Sequence, residues 1–215
     1  MPKPRRTALP PEIPEPLEAA FAGLDSPLQI QAFLDTLPYS DEEIYRCPAR
    51  VVADRKAHCF DGALFAAAAL CWLGHPPRIL DIVAVRDDDH ILALYQRFGC
   101  WGAVAKSNFT GLRFREPVYR SLRELVMSYF ESYYNALGEK TLRAYTVPLN
   151  LQSFDRQGWM TNDAVMDDIA RRLDEIRRFP AVTEAMVAAL SPVDPRSKEA
   201  GMLGVNLAGL YKLPD

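Results

Sequence analysis

A chain of 215 residues with a formal net charge of −3 and a sequence pI near 5.7 can bury a sizeable core, as one domain with extensions or as two small ones. This slightly acidic balance lacks the basic surface that nucleic acid demands of a main partner. No apolar run reaches the length of a membrane span, and the N-terminus lacks a signal peptide's apolar stretch. No nucleic-acid or membrane partner is therefore expected. Cys47, Cys59, Cys71 and Cys100 show no C-x-x-C spacing, so reduced thiols and a cytoplasmic setting are expected.

Residues 1–25 open with the proline-rich stretch Met1 to Pro16 and read as an extended or disordered arm. Ser26-Pro27-Leu28-Gln29 has the form of a helix start, with serine as N-cap and proline in the first turn. Ile30, Phe33, Leu34 and Leu37 give that helix one apolar face, and Pro38 ends it. Ser40 to Glu43 repeats the capping-box pattern, and Cys47-Pro48 opens a short helix through Val51 and Val52.

Lys56 to Gly74 reads KAHCFDGALFAAAALCWLG. Phe60, Ala63, Leu64, Ala67, Leu70 and Cys71 recur at helical spacing, and the opposite side is almost all alanine. Such a helix is buried on most sides. Gly74, Pro76 and Pro77 stop it.

Beyond Gly74 the period changes. The stretches 78–86, 90–98 and 100–107 are three short strands joined by Asp87-Asp88-Asp89 and Gly99, and turns this short require antiparallel neighbours. An amphipathic helix is expected from Pro117 to about Leu137, a strand over 141–151 interrupted by Pro148, and helices over 162–178 and 182–190. Residues 191–215 read as a loosely held extension. The expected fold is α+β: a single domain over 26–190 with a central buried helix on an antiparallel sheet and additional N- and C-terminal helices.

The chemistry points to Cys59. It stands at a helix N-terminus, where free backbone N–H groups and the macrodipole favour an anion and lower a thiol pKa. Among three histidines, His75 belongs to a turn and His58 diverges from its neighbour Cys59, which leaves His90 as the base. A helix cysteine and a strand histidine form the arrangement that thiolate–imidazolium activation requires. His58, Cys59, an aspartate of 87–89 and His90 also suggest zinc, but adjacent His-Cys is not a chelating spacing. No metal and no cofactor are expected.

Cys59 before a buried helix, the turn from Gly74 to Arg78, His90 at a strand start and Trp101 together resemble the transglutaminase-like superfamily, a branch of the papain-like cysteine enzymes. The likeness covers about Arg50 to Ser107. It implies a papain-like core, attack by Cys59 on an amide or peptide-like acyl group, His90 as proton carrier and an oxyanion hole that includes the Cys59 N–H. The family's acid falls four residues after the tryptophan, where this chain has Ala105. Asn108 or Ser107 stands in for it, Asn108 being chemically the better orienter of an imidazole.

Two functions follow. One is a cysteine hydrolase or acyltransferase working through a thioacyl intermediate on Cys59. The other is a catalytically degenerate module that binds a ligand or protein partner, which Ala105 favours; Tyr119, Tyr133 and Tyr134 then offer an interaction face.

Overall fold

A computed structural model describes residues 13–212. Its helices are α1 (Glu15–Phe21), α2 (Pro27–Asp35), α3 (Pro48–Asp54), α4 (Cys59–Trp72), α5 (Leu122–Met127), α6 (Met166–Glu175), α7 (Glu184–Ala188) and α8 (Pro195–Gly201). Its strands are β1 (Arg78–Ala84), β2 (His90–Arg97), β3 (Cys100–Val104), β4 (Arg115–Tyr119), β5 (Leu142–Thr146), β6 (Leu149–Asn150) and β7 (Arg178–Pro180). They form one antiparallel sheet in the order β4-β3-β2-β1-β5-β7, with β6 continuing beside β1. The fold is α+β, with a central helix against an antiparallel sheet.

The burial of α4 follows from its residues. Every position from Phe60 to Cys71 is buried, so the helix presents no polar face. Phe65 stacks on Phe33 of α2 at 4.7 Å and meets Phe21 of α1 edge-on at 5.4 Å. Aromatic pairs of this kind add about 0.5–1.5 kcal/mol each beyond area burial. Gly62 lets α4 approach the chain after β3, since a Cβ there would lie 2.2 Å from the Lys106 Cβ.

The sheet is covered on both faces, which sets where every strand residue points. Ile79 of β1 and Ile91, Ala93 and Tyr95 of β2 pack with α4. Leu80, Ile82, Leu92 and Leu94 pack on the other face with α5 and residues 129–133. Strand side chains alternate, and partners directly opposite share a face. Asp81 pairs with Ile91, whereas Ile82 pairs with His90.

Several expectations need correction. Of the expected arm, residues 1–12 lie outside the described residues, but residues 13–25 are folded: Leu17 and Phe21 are completely buried. Packing of two apolar side chains outweighs the proline content. Ser40 to Glu43 forms no helix; the Ser40 hydroxyl accepts from Arg46 instead. The long helix expected from Pro117 is replaced by β4, α5 and a short 3-10 turn over Phe130–Ser132. Tyr133 and Tyr134 are buried, at 1% and 3% exposure, and provide no interaction face.

The extension over 191–215 is fastened to the rest of the fold as far as Gly209. The Tyr134 hydroxyl donates to the Ser197 carbonyl at 3.0 Å, and Gly201 packs against Tyr134 where no side chain would fit. All four cysteines are free thiols. Among the described residues no helix is long and apolar enough to cross a membrane.

Candidate functional site

Cys59 is the first residue of α4 and is partly exposed in a cleft of about 890 Å³. The helix start is built by its neighbours. His58 is the N-cap: its Nδ1 accepts from the Asp61 N–H at 3.5 Å while its Nε2–H donates to the Ile44 carbonyl at 3.2 Å. Asp61 completes a capping box by accepting from the His58 N–H and, at 2.8 Å, from the Arg46 N–H. Arg46, 2% exposed, is held by Glu42, Asp54 and Ser40. Both ring nitrogens of His58 are thereby committed, and burial depresses its pKa against the opposing charge of Asp61.

The thiol itself is held protonated. Burial pushes the Cys59 pKa up to about 12; Asp88, Asp61 and Asp81 add to that, and the Ile91 N–H opposes it. The sulfur lies 3.7 Å from the Asp89 carbonyl, toward which the S–H points. Tyr39 stands beside it, and burial, reinforced by Cys59 and Asp88, keeps its phenol protonated as well. The helix dipole favours a thiolate here, but desolvation and the surrounding carboxylates outweigh it.

His90 does not meet Cys59. Its Nε2 lies 2.7 Å from the Leu112 carbonyl, and its ring packs edge-on to Tyr129 and Tyr133, each at 6.4 Å. These partners belong to the sheet face opposite α4. The residues of this strand and its turn that line the cleft with Cys59 are Asp88, Asp89 and Ile91. Burial drives the His90 pKa down to about 4, so the ring is neutral.

The stand-ins for the acid are elsewhere too. Asn108 binds the C-terminal segment: its Nδ2 donates to the carbonyls of Asn206 (2.9 Å) and Gly209 (3.2 Å), and its Oδ1 accepts from the Asn206 N–H (2.8 Å). The Ser107 hydroxyl accepts from the Phe109 N–H at 3.0 Å. Ala105 bonds Gln31 of α2 through both backbone groups. The four expected catalytic residues Cys59, His90, Asn108 and Ser107 are therefore not assembled into one constellation. Lys106 is buried and donates to the Leu34 and Leu37 carbonyls at the end of α2.

The cleft has a different character from a thiol site. Nine of its lining residues carry carboxylates, and one, Lys212, carries an amine. Glu42, Asp163 and Asp174 are neutralised by Arg46, Arg50 and Arg178. Asp41, Glu43, Asp81, Asp88, Asp89 and Asp167 form no ion pair among the described residues. No group of three or more His, Cys, Asp or Glu is placed to hold a metal ion among the described residues.

Asp81 was not singled out by its sequence context, RILDIVAVR, although a lone carboxylate inside an aliphatic strand is the signal that would have found it. The chain matches no protein-family model, and no curated protein matches it.

Proposed function

We propose that this chain is a catalytically degenerate, transglutaminase-like module that binds a ligand in the cleft at the start of α4. The observation that carries this reading is the orientation of His90 away from Cys59, with the sheet between imidazole and thiol. A thiol hydrolase or acyltransferase acting on an amide needs a base within hydrogen-bond reach of its nucleophile. Here the nearest imidazole, His58, caps the helix with both nitrogens occupied. A neutral thiol set among carboxylates is a poor nucleophile. The cleft remains, partly aromatic and strongly acidic, and its lining suits binding.

The test is alkylation by iodoacetamide under native conditions at pH ~6.5, with each cysteine read by mass spectrometry. Cys59 is expected to react no faster than Cys100, the other partly exposed thiol, and His90→Ala is expected to leave its rate unchanged. Selective, rapid labelling of Cys59 that His90→Ala abolishes would restore the thiol enzyme.

A further inference from the structure

Asp81 occupies a position that the fold would fill better with an apolar residue. It sits in the middle of β1, on the α4 face, two residues from the core residue Ile79. It is 2% exposed, and its Oδ1 is, among the described residues, the sole buried side-chain nitrogen or oxygen without a hydrogen-bond partner. Leaving a buried polar atom unpaired costs stability that a valine would not lose. Only its backbone is used, the N–H donating to the Thr146 hydroxyl at 3.0 Å. Asp81 is one of the residues that line the cleft Cys59 opens into.

We propose that the cleft takes a small linear compound bearing primary alkylammonium groups, one of which is received by the Asp81 carboxyl. This rests on the cleft being a binding site. The charge of the ligand follows from the lining, in which carboxylates without ion pairs stand against one lysine. Its hydrocarbon part follows from the walls: Tyr39, Tyr45, Phe60, Ile91 and Leu173 offer faces against which methylenes lose water. A metal ion is disfavoured because no three ligating groups converge among the described residues.

An ammonium is a compact point charge with three donors and needs only one accessible lone pair from each neighbour. Asp88 and Asp89 at the β1–β2 turn and Asp167 of α6 line the same cleft and supply further acceptors. More than one ammonium on a flexible chain matches that distribution.

Asp81 is faced by Asp89 from the turn, Arg178 from β7, Asp174 from α6 and Cys59 from α4. Burial, reinforced by Asp89, holds its carboxyl up to about 8, so near neutrality an ammonium binds with release of a proton. The full chain is titrated calorimetrically with spermidine at pH ~7 in phosphate and in Tris, whose ionisation heats differ. Saturable binding with proton release is expected. Asp81→Asn, which keeps the shape, should weaken it at least tenfold and remove the proton release; Glu43→Gln at the rim should change it less than about threefold.

Nα-acetyl-lysine amide, with one ammonium, should bind at least tenfold more weakly than spermidine; equal or tighter binding would overturn the assignment to a free polyamine. Choline binding as tightly as spermidine, or unchanged affinity in a folded Asp81→Asn variant, would overturn the role of Asp81. Absence of saturable spermidine binding while Cys59 stays inert to iodoacetamide overturns the amine assignment alone. Rapid His90-dependent alkylation of Cys59 overturns the binding-module reading itself.

Discussion

The His90 imidazole donates its Nε2–H to the Leu112 carbonyl at 2.7 Å, enclosed by the edges of Tyr129 and Tyr133. A carbonyl only accepts, so the ring is the neutral Nε2–H tautomer, and burial holds its pKa at about 4 against 6.5 for a free histidine. Between those values the unfolded chain binds a proton that the native chain refuses, so stability rises with pH there. The contribution is complete above pH ~6.5 and is lost as pH falls toward ~4, at about 3 kcal/mol for a ring so fully enclosed. Urea denaturation of the wild type and of His90→Gln across that interval should differ in slope, the variant losing this part of the acid sensitivity. Parallel curves would show that His90 is not a buried neutral ring.

Asp81 works with the opposite sign. Its carboxyl is raised to about 8, chiefly by burial and then by Asp89, so the native state holds a proton that the unfolded state gives up. Stability from this group is complete below the free carboxylate value near ~4 and declines as pH rises through ~8. Asp81→Asn should therefore melt above the wild type at pH ~9, with the gap closing at pH ~5. A gap that is constant with pH, or reversed, would show that Asp81 is not buried unpaired.

Gly62 is a packing requirement of α4 against the chain after β3. An added Cβ would meet Lys106 at 2.2 Å and 3.1 Å, while Lys106 is itself fixed through Leu34 and Leu37. Alanine raises helix propensity by about 1 kcal/mol, but overpacking typically costs about 1–3 kcal/mol. Gly62→Ala should lose about 1 kcal/mol net, with Tm down by roughly 2–4 °C. Calorimetry showing a higher Tm would contradict the close approach.

Asn108 fastens residues 206–209, part of the cleft wall, through three hydrogen bonds. Asn108→Ala should open that segment by about 1–3 kcal/mol, seen as faster amide exchange at Asn206 with little change at α4. Cys59 alkylation should stay the same or rise as the wall loosens. A drop in that rate would instead assign Asn108 to an active thiol site.

The parts of the molecule legible in the sequence are those where one local rule suffices. Ser26 caps α2 by accepting from the Gln29 N–H, as its spacing implies. The alanine-rich run makes α4 a helix without a polar face, and the triple aspartate and Phe98-Gly99 turns set β1, β2 and β3 as antiparallel neighbours. The segment after Pro117 misled because Val118, Leu122, Leu125 and Val126 satisfy a helical period, yet β4 gains ladder hydrogen bonds from the exposed edge of β3. Tertiary pairing outweighed the local pattern.

At the site, the missing information was parity. In HILALYQRF both alternating sets are apolar, because both faces of the sheet are covered, so nothing local says which set faces α4. One residue of phase decides whether a strand's imidazole reaches the thiol or the opposite core.

The central helix, the cysteine at its start, the hairpin succession and the acidic turn can be read from the residues, since each depends on near neighbours along the chain. Tertiary structure alone decided that His90 packs beneath Leu112, that Asn108 holds the C-terminal segment, and that Asp81 lies unpaired in an acidic cleft. Those outcomes depend on which surface is stacked on which face of a sheet, a relation between distant segments that no local spacing encodes.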